Sequence, residues 1–217
     1  AGEEVSVGAQ DGFDLDLAGL RNGNTIHLTY TDVATGTQHN LSIVRVDDAS
    51  VLPLPQSATA DPNDRVIGID FSGGMASVVA QLNAAIGPDL QFSNPAGDGL
   101  RILDDGAANT VKVDAASVTK TADTLAGGDP QLPLFTDGGF IYSGGFTASG
   151  AQQNGFAARI SVNTALLADA ARMVIYDAGT ASGDTARPDF MFDRLTSGID
   201  TFAPATGIGS PTSPYRG

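Results

Sequence analysis

Cysteine and tryptophan are absent from this 217-residue chain, lysine occurs only as Lys112 and Lys120, and histidine only as His27 and His39. Without Cys there is no disulfide, no thiolate zinc site and no cysteine nucleophile. With 11 Lys+Arg against 25 Asp+Glu the formal net charge is −14, which opposes nucleic acid and anionic membrane by like-charge repulsion. Charged residues are 17% of the chain, below the roughly 25% of ordinary soluble domains, so uncharged polar groups must cover the surface. No run approaches the ~18 apolar residues of a membrane-spanning helix. The start, Ala1-Gly2-Glu3-Glu4, has neither the basic nor the apolar region of a secretory signal. The first residue is not Met and the last fifteen are rich in turn formers, so a fragment of a longer chain is expected.

What is abundant is glycine and proline, 27 and 11 residues, together 38 of 217. At 41% hydrophobic the chain can bury a core, and its length suits one large domain or two small ones. Residues 13–19 alternate apolar and polar, as a half-buried strand does. The alternation returns over Asn24–Val33 and 39–46, and Thr35-Gly36 between these runs predicts a hairpin, 24–33 with 38–46. Such a turn sets His27 opposite Val44 and His39 opposite Asp32. Val66–Phe71 reads as a strand, with Ile67, Ile69 and Phe71 inward. Then the period changes. Met75, Val78, Val79, Leu82, Ala85 and Ile86 recur at helical spacing, and Gly87-Pro88 stops the helix. Short strands follow at 89–93, 99–103 and 110–114.

The predicted class is mainly β (α+β): antiparallel β-rich domains with one amphipathic helix at about 75–86 packed on a sheet. Gly127-Gly128-Asp129-Pro130 marks a boundary, giving a β-rich domain over 1–126 and a second β-rich part over 127–217. In the second part strands are expected at 139–143, 156–162 and 173–176. Asn163 is expected to cap a short helix over 164–168, and Pro188 to open another over 189–197. A nested alternative pairs strands of residues 1–20 with 156–176. Ala203–Gly217 lacks periodicity and reads as a linker.

Candidate chemistry is sparse. On the predicted hairpin the two histidines stand five rungs apart, roughly 17 Å at ~3.4 Å per residue, too far to share a metal. His39 with Asp32 reads as a cross-strand surface contact. Asp61-Pro62-Asn63-Asp64-Arg65 begins like a calcium loop, but Arg65, Val66 and Ser72 stand where the loop needs a ligand, Gly and Glu. Asp104-Asp105-Gly106 reads as turn chemistry. Asp14 and Asp16 share a strand face, an arrangement open to acid–base work but simpler as an exposed polar face. Gly207-Ile208-Gly209 lacks the third glycine and following helix of a phosphate cradle. Asn40-Leu41-Ser42 fits the glycosylation sequon, a pattern common by chance. No catalytic residue, metal ligand or cofactor is therefore expected.

Two stretches resemble a known family. Ile67-Gly68-Ile69-Asp70-Phe71, then Ala76-Ser77-Val78-Val79-Ala80-Gln81-Leu82-Asn83-Ala84-Ala85-Ile86, is similar to a strand and helix of the variable outer domains of flagellar axial proteins. Phe156-Ala157-Ala158-Arg159-Ile160-Ser161-Val162-Asn163-Thr164-Ala165-Leu166-Leu167-Ala168-Asp169, with Met173-Val174-Ile175-Tyr176 and Gly183-Asp184, carries the stronger likeness. It resembles the stretch of the hook–filament junction family (hook-associated protein 1) that leads from outer β domains back to a helical region. Arg187–Thr196 sits where that region would begin.

The resemblance implies a non-enzymatic structural component of the bacterial flagellum, here its central outer domains without the terminal helices. It implies an extracellular place, reached through the flagellum's own channel without a cleaved signal peptide. The implied partners are other copies of itself, the hook protein and the second hook-associated protein, with the isolated piece monomeric. Absence of Cys suits a chain threaded unfolded to a place where no glutathione keeps thiols reduced. The competing reading is an extracellular adhesin or carbohydrate-binding β module. It calls for an aromatic platform, and the chain has no Trp and four tyrosines at distant positions, 30, 142, 176 and 215. A hydrolase would need a pocket uniting His39, Asp32 and a serine hydroxyl.

Overall fold

The structure, a computed structural model, describes residues 1–55 and 64–197. The chain forms β1 (Glu3–Val7), β2 (Gln10–Asp16), β3 (Thr25–Asp32), β4 (Gln38–Val46), β5 (Asp64–Asp70) and helix α1 (Gly74–Ile86). Next come β6 (Gln91–Ser93), β7 (Gly99–Leu103), β8 (Val111–Thr119), β9 (Phe135–Asp137), β10 (Phe146–Thr147) and β11 (Gly150–Ala151). A helical turn α2 (Phe156–Arg159), β12 (Ile160–Val162), α3 (Thr164–Ala168) and α4 (Ala186–Ser197) complete the order. Two compact units result: Ala1–Thr121 with Tyr142–Phe156, and Ala122–Ile141 with the chain from Ala157 onward. In place of one boundary at residue 126, the division is discontinuous, because residues 142–156 return to the first unit.

The first unit holds two four-stranded sheets, in the orders β1-β2-β7-β6 and β5-β4-β3-β8. The mainly β, antiparallel class read from the alternation is the one found. One pair, β4 with β5, is parallel, and residues 47–63 supply a connection of the length a parallel pair requires. The strands of residues 1–20 do not reach for 156–176. The turn at Gly8-Ala9 folds β1 straight back on β2, and β2 pairs onward with β7.

Apolar side chains of both sheets and of α1 meet in one core, including Leu15, Leu100 and Ile102 from one sheet and Ile26, Leu28 and Ile43 from the other. Helix α1 adds Val78 and Leu82, both fully buried, with Met75, Val79 and Ile86 packed against the same core. Its polar face does a second job. Asn83 accepts the Phe92 amide at 3.0 Å and donates to the Phe92 carbonyl at 2.9 Å. Gln81 does the same for Asp70, accepting its amide at 3.0 Å and donating to its carbonyl at 2.8 Å. Strands β5 and β6 end their sheets, so these two amides satisfy backbone that lacks a neighbouring strand. Gly68 on β5 has a steric duty, since a Cβ there would lie 2.3 Å from Leu52 Cδ2 and 2.9 Å from Leu54 Cγ.

The β3–β4 hairpin forms with a register two residues from the predicted one. Ile26 pairs with Ile43, Leu28 with Leu41, His27 with Ser42 and Tyr30 with His39. The cause is a wider loop. The Asp32 carboxylate accepts from the Thr35 amide and hydroxyl at 2.8 and 3.0 Å, and Gly36 takes φ +68°. A shift of two preserves which face each residue occupies, so the core pattern survives while the cross-strand partners change.

The second unit departs further from expectation. Residues 156–159 form a helical turn and only Ile160–Val162 a strand, because the sole partner, β9, is three residues long. Residues 139–143 form no ladder beyond a bridge from Phe140 to Asp137. No strand forms at 173–176, where one was expected: a 3-10 turn covers Ala170–Met173, capped by the Asp169 carboxylate on the Ala171 amide. Asn163 does cap α3, accepting from the Ala165 amide at 2.9 Å. Helix α4 starts at Ala186, two residues ahead of Pro188, whose missing N–H falls in the first turn where no bond is needed. The linker at 203–217 and residues 61–63 lie outside the described residues. No helix among the described residues is long and apolar enough to cross a membrane.

The Asn83 bridge makes a direct prediction. Asn83→Ala leaves both Phe92 backbone groups unpaired and is expected to cost about 1–3 kcal/mol. Urea unfolding measures the loss, and hydrogen exchange should show the Phe92 amide deprotected ahead of its neighbours.

Candidate functional site

The outer face of the β3–β4–β5 sheet gathers a serine, a histidine and a carboxylate that no sequence motif announces. His27 and Ser42 are cross-strand partners, and parallel pairing of β4 with β5 sets Asp64 opposite Asn40, on Ser42's face one step along. Ser42 Oγ donates to Asp64 Oδ2 in a short hydrogen bond and meets His27 Nδ1 at 3.3 Å, while His27 Nε2 meets Thr119 Oγ1 at 3.1 Å. A hydroxyl has one proton, and Ser42 gives its proton to Asp64. The histidine therefore carries its proton on Nδ1 and donates to Ser42, accepting from Thr119 on Nε2, an assignment made from the network. Nucleophilic activation requires the reverse, with the imidazole accepting the serine proton. Ser42 is also 1% exposed. The arrangement is a polarised chain of bonds through His27 that ties four strands, β8, β3, β4 and β5, and ends on a carboxylate.

The residues singled out for chemistry are dispersed. His39 stacks on Tyr30 with ring centroids 5.0 Å apart, and Asp32, which was expected to face it, is engaged with Thr35. Three rungs separate His27 from that stack. Asp14 is clamped by Arg101, Oδ1 to Nε at 2.7 Å and Oδ2 to Nη2 at 2.6 Å, and the guanidinium holds its carboxyl below the usual range. Asp16 accepts the Ala18 amide, which lowers its pKa, with Lys120 Nζ 3.3 Å away adding to the effect. These two carboxylates are structural partners of cations, Arg101 on β7 and Lys120 just past the end of β8. Asp104 accepts from the amides of Asp11 and Gly106, and Asp105 from the Thr110 amide and hydroxyl, with Gly106 at φ +60°. Asn40 is exposed, while its sequon partner Ser42 is buried. Gly207 to Gly209 and Tyr215 lie outside the described residues. No group of three or more metal-binding side chains occurs among the described residues.

The second unit is organised around polar side chains. Arg187 is fully buried, donating to the Pro130, Asp129 and Arg172 carbonyls at 3.2, 2.5 and 2.6 Å, with its guanidinium 5.3 Å over the Tyr176 ring. Burial pushes the Arg187 pKa down. The Tyr176 hydroxyl donates to Asp184 at 3.0 Å, and that carboxylate pushes the phenol pKa up. Asn163, also fully buried, donates to the Leu125 and Pro133 carbonyls at 2.7 and 2.8 Å. Thr136 shares a 2.9 Å bond with Ser161 across β9 and β12.

Large apolar side chains in this unit lie outward. Phe135, Ile160 and Val162 share one face of the β9–β12 ribbon and are about half exposed, while Thr136 and Ser161 take the other face. On α4, Arg187 and Met191 point inward, and Phe192 and Leu195 are 66% and 64% exposed. Among the described residues the first unit exposes only Val7 and Val33 of this class. Charge divides the other way. The first unit has six basic and sixteen acidic side chains, net −10, and the second has five and nine, net −4. Compared with protein-family models, curated proteins and solved structures, the chain has no match.

Two outcomes follow from these contacts. Arg187→Met strips three backbone carbonyls of their donor and is expected to destabilise the second unit by about 2–4 kcal/mol. Arg187→Lys should recover only part, because one ammonium cannot reproduce the planar fork, and thermal unfolding of the three proteins checks the order. Asp14 has a depressed folded pKa, so its stabilisation is present above the unfolded carboxylate value near ~3.9 and lost as pH falls through the lower folded value. Asp14→Asn should cost about 1 kcal/mol at neutral pH and flatten the fall in stability below about pH 4, read by urea titration at pH 7 and 3.

Proposed function

We propose that this chain supplies the outer domains of a structural subunit at the hook–filament junction of the bacterial flagellum. It acts outside the cell through subunit contacts and performs no catalysis. The observation that carries the reading is the division of surface character. A first unit with net charge −10 and few exposed apolar groups stays solvated. A second unit that leaves Phe135, Ile160, Val162, Phe192 and Leu195 outside is matched to burial against further protein.

The stronger family likeness, over 156–197, lies in that second unit, and the looser one, over 66–103, covers α1 and the strands it clamps. The partners on this reading are other copies of the chain, the hook protein and the second hook-associated protein, with the isolated piece a monomer. Unfolded passage through the flagellum's channel, without a cleaved signal, accords with a chain free of Cys.

Antibodies raised against the chain and visualised by gold labelling of intact flagella test the assignment in the organism that encodes it. Label confined to the joint between hook and filament is the expected result. Label along the whole filament, or on the cell body alone, would overturn it.

A further inference from the structure

Strand β1 lies at the end of its sheet. Its two-residue turn closes on Val7 and Gln10, so Val7, Val5 and Glu3 exchange backbone bonds with β2, and the N–H and C=O of Glu4 and Ser6 point away from it. Gly2 has the same outward parity, and its N–H donates to the Ala116 carbonyl of β8 at 2.8 Å. Beyond that bond no ladder joins β1 to β8, which belong to different sheets. The cause sits in β8: Thr29 pairs with Ala115 and Tyr30 with Val113, leaving Asp114 as a bulge. A bulge bends its strand, and it does so beside Glu4. Between Glu4–Ser6 and Lys112–Asp114 lies a cleft of about 390 Å³, within the ~300–1,000 Å³ range of ligand sites.

We propose that this cleft receives an extended polypeptide segment bearing Lys or Arg, which adds to β1 as a further strand. The outward backbone groups of Glu4 and Ser6 supply the hydrogen bonds of strand addition. The cleft's charged side chains are Glu4, Asp11 and Asp114 against Lys112, an acidic excess that complements a cationic strand. Two of the carboxylates are held in place, Asp11 by the Ser6 hydroxyl and Asp114 by the Thr31 hydroxyl, each at 2.5 Å. A second copy of this chain would bring the same acidic edge, and like charges on facing edges disfavour that pairing.

The test titrates the full chain at low salt with a capped heptapeptide alternating Lys with Val or Thr, followed by amide NMR. Saturable binding is expected, with slowed exchange at the Glu4 and Ser6 amides. Glu4→Lys combined with Asp114→Lys, shown folded by circular dichroism, should weaken binding by about tenfold. Alternate N-methylation of the peptide, which removes backbone donors and keeps the charge, should weaken it comparably. Binding that survives N-methylation, that ignores the charge reversals, or that fails to saturate by millimolar peptide overturns the proposal. Self-association of the chain that Glu4→Lys abolishes would assign the edge to a second copy and overturn it as well.

Discussion

Two amides on one helix carry the first unit. Gln81 and Asn83 lie two residues apart on α1 and each bonds both backbone groups of a single strand residue, Asp70 and Phe92 respectively. These residues belong to the last strands of two different sheets. An edge strand presents unpaired donors and acceptors, and β6 is three residues long, too short to hold by ladder bonds alone. With the apolar stripe of α1 buried against both sheets and its amides fastened to both edges, the helix fixes the spacing and register of the layers around it. The remaining strands can then be short and their turns rich in glycine.

The second unit solves the same problem with little apolar burial. Arg187, Asn163 and Thr136 are fully buried, and each spends its donors on backbone carbonyls or a neighbouring hydroxyl. A buried guanidinium is stable only when its donors are matched, and three carbonyls from two segments, Asp129-Pro130 and Arg172, match it. Because polar groups fix the chain path, hydrophobic side chains are not consumed inside and remain on the ribbon and on α4. That allocation underlies the proposed role as an assembling subunit, since an exposed apolar face is stabilised once another protein covers it.

Legibility in the sequence tracked the range of the forces involved. Helix α1 was readable because its stripe, its stop at Gly87 and its length are local. Asn163 as a cap and Asp104-Asp105-Gly106 as a turn were readable for the same reason. Strand β1 was missed because Glu3 and Glu4 mask an alternation only two valines deep. The strand expected over 156–162 shrank to Ile160–Val162 and the one at 173–176 did not form, because alternation states a capacity for pairing and not the presence of a partner. The network of His27, Ser42 and Asp64 depends on a parallel pairing across residues 47–63, which no local pattern records.

The sequence by itself determined the β-rich class, the one long amphipathic helix and its end, the excess of negative charge and the impossibility of thiol chemistry. Each follows from composition or from a periodicity confined to neighbouring residues. Only the tertiary structure decided the hairpin register, the return of residues 142–156 to the first unit, the burial of Arg187 and the opening of the cleft beside β1. Those depend on which distant backbone groups find partners, and hydrogen-bond satisfaction is a property of the assembled chain.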